Sequence, residues 1–303
     1  MTKTTTNLLG ILITILAGTY FFITCCSECG LQEKEAPMEE KVTPAPAVPE
    51  ATSYPFAFSD GAYSVNENDN FNFNLSSSSI LTPLSTKVEA GVASLKGFLA
   101  ENTGKVINVT GYYKSDETND SAFPNLGLAR ATAVKNYLEE MGVSSSQINT
   151  AGKLMDDMLA KDGVYLGPVA YDLAHASADA DDELKALYDR IKADPLVLYF
   201  QTNQAAISLS AEQRQKIADI SRYLDKVADA KCLVTGHTDS QGARAANINL
   251  GQGRADFAKA YLVRNGIADA KIITSSKGPD EPVETNATEE GRAKNRRTVV
   301  TLN

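Results

Sequence analysis

Two stretches of this chain repeat one another, and the repeat restricts the fold more than any other feature. Val106-Ile107-Asn108-Val109-Thr110-Gly111-Tyr112-Tyr113-Lys114 runs as an apolar strand into a glycine, and Leu233-Val234-Thr235-Gly236-His237-Thr238-Asp239 does the same. Further on, Asn125-Leu126-Gly127-Leu128-Ala129-Arg130-Ala131 parallels Asn249-Leu250-Gly251-Gln252-Gly253-Arg254-Ala255. The helices then continue alike, as Asn136-Tyr137-Leu138-x-x-Met141-Gly142-Val143 against Ala260-Tyr261-Leu262-x-x-Asn265-Gly266-Ile267. Strand, glycine, helix and helix stop recur in one order, which predicts two tandem copies of one domain.

The second copy is the easier to read. Leu196-Val197-Leu198-Tyr199-Phe200 is β-rich, and Ser210-x-x-Gln213 is a capping box opening a helix with Ile217, Ile220, Leu224 and Val227 on one face. Cys232–Thr235 forms the next strand, and a helix carrying Arg254, Ala258, Tyr261 and Leu262 stops at Gly266. Lys271–Thr274 and Thr298–Thr301 supply two further strands. The expected class is α/β, an α+β sandwich with helices on one face of a mixed sheet. Ahead of it, Asp181-Asp182-Glu183 reads as a solvated helix start, favoured by the helix dipole, within a connector helix at 176–194.

The first residues carry a different signal. Thr4 to Ser27 contains no charge and Leu8 to Thr24 is almost wholly apolar, enough for the roughly 20 residues of a membrane span. Lys3 before the run, and Glu28, Glu33 and Glu35 after it, favour the N-terminus inside and the rest exported. No small-x-small cleavage pattern closes the run, so 1–27 is expected to stay as a transmembrane anchor, with a cleaved signal peptide as its rival. Cys25, Cys26 and Cys29 crowd beside the run without the pattern that lipid attachment prefers, and Cys232 stands apart, so no disulfide framework is implied. Residues 28–65 follow as a Pro/Glu-rich linker; Glu28 to Pro55 holds five of the eleven prolines and would stand the folded part off a membrane. The net charge of -9 argues against a nucleic-acid partner, which needs a basic face.

Asp239 sits in the loop leaving a strand, and Arg254 on the helix that follows. Such loops lie at the carboxyl ends of strands, where open α/β sheets commonly hold ligands. An acid and a guanidinium brought together there suit a zwitterionic group, the acid taking an ammonium and the fork a carboxylate. By spacing alone an ordinary salt bridge between the two is the better reading.

From about Pro195 onward the chain resembles the OmpA-like (OmpA C-terminal) peptidoglycan-binding domain. The resemblance rests on Phe200-x-x-Asn203, Gly236-His237-Thr238-Asp239-Ser240-x-Gly242 and Asn247-x-x-Leu250-x-x-x-Arg254-Ala255. It continues in Gly278-x-x-x-Pro282-x-x-x-Asn286 and Glu290-Gly291-Arg292-Ala293-x-Asn295-Arg296-Arg297. It implies two βαβαββ domains, 66–175 and 195–303, and a clasp for the diaminopimelate of the wall peptide. By position the clasp is Asp239 and Arg254, with Thr238, Asn247 and Arg297 in support. Gly251 stands where the family has serine, and with Gly253 it predicts a looser first helical turn.

The first copy departs further. Lys114 replaces the aspartate while Arg130 keeps the arginine, so 66–175 is expected not to bind the wall peptide in the same way. Packing partner, spacer and site for another ligand all remain open for it. Enzyme readings lack parts: His175 and His237 are the only histidines, and strand alternation sets Cys232 and His237 on opposite faces. No metal site and no cofactor is expected. The sequence therefore reads as a membrane-anchored periplasmic protein of a Gram-negative envelope, on either membrane, that holds peptidoglycan without catalysis. The competing reading is an envelope scaffold whose copies bind protein partners or a second copy of the chain.

Overall fold

The structure, a computed structural model, describes residues 3–25, 51–199 and 208–303. The chain divides into two compact units, Met1–Pro49 and Glu50–Asn303.

In the first unit, α1 (Lys3–Cys25) is a helix where the membrane span is expected. Among the described residues, however, no helix is long and apolar enough to cross a membrane. The helix stands where the span is expected, and its crossing of a membrane is not shown. Cys26, Cys29 and the proline-rich stretch before residue 51 lie outside the described residues.

The second unit begins earlier than the expected linker boundary at 65. A hairpin of β1 (Phe56–Asp60) and β2 (Tyr63–Glu67) turns at Asp60-Gly61-Ala62-Tyr63, with Gly61 at φ +60°. Phe56 and Phe58 alternate inward, and their rings meet Tyr171 and, for Phe56, Phe71 edge to face. Buried aromatics at spacing two, followed by Asp-Gly, make this a hairpin rather than a spacer. Next come β3 (Phe73–Asn74) and α2 (Thr86–Glu101). Ser85 caps α2 by accepting from the Val88 amide, and Val88, Val92, Leu95 and Leu99 form its buried stripe. The central strand β4 (Lys105–Tyr113) feeds α3 (Leu126–Glu140), capped by Asn125. β5 (Ile148–Leu154) lies parallel to β4 on one side. β6 (Val164–Tyr165) pairs with β3, and β7 (Val169–His175) lies antiparallel to β4 on the other side.

The C-terminal half repeats this plan. After α4 (Ala180–Ala193), which carries Asp181, Asp182 and Glu183 in its first turn, comes β8 (Leu196–Tyr199). α5 (Ala211–Lys226) opens with both bonds of the predicted Ser210/Gln213 capping box. β9 (Cys232–His237), α6 (Arg244–Arg264), β10 (Ile272–Gly278), α7 (Glu289–Asn295) and β11 (Arg297–Leu302) complete it. Among the described residues the sheet order is β10-β9-β11-β8, with β9 and β10 parallel and β11 antiparallel to both its neighbours. This is the mixed α/β arrangement expected. Phe200 and Asn203 fall outside the described residues.

The halves are not separable beads, for residues 50–303 form one unit. Lys135 of α3, 2% exposed, reaches Asp225 of α5 at 2.6 Å, while Ser145 Oγ donates to the Asp225 carbonyl. Lys226 donates to the carbonyls of Ser146 and Ile148. The Asn265 side chain accepts from the Ala122 amide, and Ala122 is buried in the core of the C-terminal half. Lys135 is buried at this junction, so separating the halves would take Asp225 from it and leave only Glu139 of its own helix, at 3.5 Å.

Candidate ligand-binding site

The site starts from two glycines. A Cβ at Gly236 would overlap the carbonyl of Gly251, so α6 sits on β9 with backbone against backbone. Gly251 itself faces Ser276 and the Gly236 carbonyl. The two glycines expected to loosen the first turn both lie inside α6, beyond that turn: Gly251 is required by packing, and Gly253, whose Cβ would meet nothing, is free of that constraint. Close seating brings Arg254, one turn along α6, back over the end of β9. There its Nη1 donates to the His237 carbonyl at 3.0 Å. Among the described residues no other protein acceptor is found for this guanidinium. Burial lowers its pKa and the nearby Asp239 raises it, while Arg296 lowers it again; a guanidinium stays charged throughout.

The loop between β9 and α6 is held from within. Thr238, buried, donates its amide to the Gly278 carbonyl and its hydroxyl to the Asp239 carbonyl. Asn247, also buried, donates from Nδ2 to the Gln241 carbonyl at 2.9 Å, closing the loop onto the first turn of α6. Asp239 accepts the Gln241 amide at Oδ1, an Asx-type turn. Its Oδ2 accepts from Arg296 Nη1 at 2.9 Å, and Arg296 Nη2 reaches Glu289 at 2.8 Å.

Four of the five predicted residues therefore meet at the end of β9: Asp239 and Arg254 as charges, Thr238 and Asn247 as the frame of the loop. Arg297 does not join them. Buried at the start of β11, it donates to the carbonyls of Glu281 and Asn295, and burial lowers its pKa. Consecutive residues entering a strand point oppositely, so the guanidinium at Asp239 belongs to Arg296. Nor is the pair a simple Asp239–Arg254 salt bridge, because Asp239 takes Arg296 and Arg254 takes a carbonyl. His237 is buried, and burial together with Arg297 pushes its pKa down to about 4, leaving it neutral near pH 7. Cys232 lies in the core with its thiol pushed up to about 12 by burial. Among the described residues no group of three or more histidine, cysteine, aspartate or glutamate side chains is placed to hold a metal ion.

The equivalent place in the N-terminal half shows the same frame with different contents. A Cβ at Gly111 would overlap the Gly127 carbonyl, and Arg130 Nη1 donates to the Tyr112 carbonyl at 2.8 Å, matching Arg254 and His237. Here the rest of the fork is taken. Glu117 accepts from Nη2 at 2.5 Å and from Nη1 at 3.1 Å, Ser77 offers its carbonyl to Nε, and Phe73 and Tyr165 lie against the guanidinium. The two side chains are 0% and 4% exposed. Lys114 faces Asp116 at 3.5 Å instead. The repeat alignment places Lys114 opposite Asp239 and passes over Glu117, three residues on; a carboxylate shifted along a loop leaves no mark in a position-by-position comparison.

Comparison with known proteins gives one family. The model of the OmpA family matches residues 72–163 and 199–296. The peptidoglycan-associated lipoprotein of Buchnera aphidicola subsp. Baizongia pistaciae is 31% identical over 121 residues, covering 40% of this chain and 68% of that protein. Outer membrane protein A of Bordetella avium is 37% identical over 95 residues, 31% of this chain and 49% of that one. Peptidoglycan-binding protein ArfA of Mycobacterium tuberculosis is 40% identical over 87 residues, 28% of this chain and 27% of that one. The chain thus spans about two thirds of the first relative, about half of the second and about a quarter of the third. Among solved structures, the peptidoglycan-associated lipoprotein from Burkholderia pseudomallei aligns at 26% identity with a TM-score of 0.32, covering 35% of this chain and 89% of that one.

Proposed function

We propose, since the chain belongs to the OmpA family, that its C-terminal half binds peptidoglycan non-covalently, with Asp239 and Arg254 clasping the zwitterionic end of a diaminopimelate side chain in the stem peptide. One observation carries the reading. Arg254 is fixed by a single bond to the His237 carbonyl, the rest of its fork has no protein acceptor among the described residues, and the Asp239 carboxylate stands beside it. A fork so held suits a ligand carboxylate, and the neighbouring acid suits an ammonium. Relatives named for peptidoglycan binding or association support peptidoglycan as the polymer bound.

The role is binding without catalysis. His237 is neutral and buried, and the Cys232 thiol is raised far above the range of a nucleophile, which fits a recognition site. In the N-terminal half, Glu117 fills the arginine fork, so that half serves as a packing partner for the site-bearing half. The uncharged run around α1 anchors the protein in an envelope membrane with residues 50–303 in the periplasm, a placement in keeping with relatives named as a lipoprotein and an outer membrane protein. That arrangement tethers a membrane to the wall.

Sedimentation of the full chain with purified sacculi tests the reading. The wild type co-sediments, and Asp239→Ala and Arg254→Ala each lose roughly 2 to 5 kcal/mol of affinity, enough to leave them in the supernatant. Equal retention of all three proteins would refute the clasp. Wild-type protein that never sediments would point instead to a scaffold that binds protein partners.

A further inference from the structure

The Asp239 side of the clasp is held by one of the protein's own side chains. Both oxygens of Asp239 are already engaged, Oδ1 by the Gln241 amide and Oδ2 by Arg296 Nη1 at 2.9 Å. The ion pair is largely sheltered, with side-chain exposures of 15% and 13%. A ligand ammonium delivered to Asp239 would therefore arrive beside a cation that holds the same carboxylate. Arg296 has somewhere else to go. Its Nη2 already contacts Glu289 at 2.8 Å, and Glu289, more than half exposed, also pairs with Arg292. Its Nε is buried with no hydrogen-bond partner, a cost of the closed position that a swing outward would relieve.

We propose that Arg296 is a latch: it neutralises Asp239 while the site is empty and transfers wholly to Glu289 when a ligand ammonium takes its place. The latch rests on the binding reading above and adds a residue pair to it. Arg296 and Glu289 then tune affinity in opposite directions. Removing the charge of Arg296 frees Asp239 and tightens binding. Removing the charge of Glu289 takes away the alternative partner, leaves Arg296 on Asp239 and weakens binding. A residue that merely positioned Asp239 would give the first change the other sign. The latch also acts only on the cationic end of a ligand, because Arg254 grips the carboxylate end independently.

The test uses the full chain and a soluble stem peptide ending in diaminopimelate, titrated calorimetrically, with the same peptide acetylated on its distal amine as control. Arg296→Gln should bind the free amine about fivefold more tightly, a fold-change that corresponds to about 1 kcal/mol. Glu289→Gln should bind it more weakly by a similar factor, and the double variant should follow Arg296→Gln. With the acetylated peptide, Arg296→Gln and wild type should agree. Glu289 is exposed enough that its variant keeps its fold, so its sign stands even if Arg296→Gln is unstable. Weaker or unchanged binding by Arg296→Gln, or tighter binding by Glu289→Gln, overturns the latch while loss of binding in Asp239→Ala keeps the clasp. Failure of the wild type to bind the peptide at all overturns both.

Discussion

Replacing Glu117 by leucine should unfold the protein more readily while leaving wall binding untouched. Arg130 and Glu117 are 0% and 4% exposed, and the carboxylate receives two bonds from the guanidinium as well as the amides of Ser76 and Lys114. Glu117→Leu strands a buried cation. Breaking one side of a buried pair costs roughly 3 to 5 kcal/mol. In a unit of this size each kcal/mol lowers Tm by about 2 to 4 °C, so a fall of roughly 6 to 20 °C is expected. Changing both partners, as Glu117→Leu with Arg130→Met, removes the uncompensated charge and should recover more than half of the loss. Asp239→Ala should do the converse. Its partner Arg296 keeps Glu289, so stability should fall by less than in Glu117→Leu while sacculus binding is lost. Thermal unfolding by circular dichroism and sedimentation with sacculi measure the two properties separately. A Glu117→Leu protein within 2 °C of wild type, or a double variant no more stable than the single, would show that the buried pair does not hold the N-terminal half together.

Further outcomes follow from particular contacts. Gly236→Ala should destabilise strongly, because its Cβ overlaps the Gly251 carbonyl, whereas Gly253→Ala should stabilise by up to about 1 kcal/mol, since it gains helix propensity in open space; denaturant melts compare them. Asp225→Asn should cost roughly 1 to 3 kcal/mol in the same assay, since Lys135, 2% exposed, loses its 2.6 Å partner at the junction of the halves and keeps only Glu139 at 3.5 Å. His237 should stay neutral down to about pH 4, seen as an imidazole proton resonance that titrates only there. Its folded pKa lies below the unfolded value near 6.5, so the unfolded chain binds more protons between the two. Stability is then present above about 6.5 and falls as pH drops toward 4, and His237→Gln should flatten that part of the profile.

What sequence could disclose depended on whether the physics was local. The Ser210/Gln213 capping box, the strand ending near Gly236 and the helix stop at Gly266 are set by neighbours within a few residues, and all stand where expected. The arginine after the glycine-bearing turn also keeps its geometry in both halves, since Gly111 with Gly127 and Gly236 with Gly251 bring each helix onto its strand at the same depth. The hairpin of β1 and β2 was hidden by its context: the prolines ahead of it suggested a spacer, although Phe56-x-Phe58 and Asp60-Gly61 carry the alternation and turn signals of a hairpin. Arg296 and Arg297 are adjacent, and which of them faces Asp239 depends on the residue at which β11 begins, a boundary that pattern alone leaves loose by a residue or two. Glu117 is the harder case. Its effect depends on a loop fold that carries it back over Arg130, and no periodicity encodes that.

The two halves separate what the scaffold provides from what makes a site. Each supplies an arginine whose first donor is spent on the carbonyl at the end of the central strand, at 2.8 Å in one half and 3.0 Å in the other. That bond aims the fork but leaves most of its capacity unmet. Glu117 meets it from within, and burial then makes the pair structural, since either charge alone would be costly. In the second half no carboxylate among the described residues bonds the fork. Asp239 turns to Arg296, and the remaining donors of Arg254 have no acceptor among the described residues. A carboxylate carried into reach of Arg254 on the loop between β9 and α6 should therefore close the second half as the first is closed: Gln241→Glu, if it bonds Arg254, would raise Tm and lower sacculus binding together. A rise in one without a fall in the other would mean that Arg254 is not the ligand's anchor.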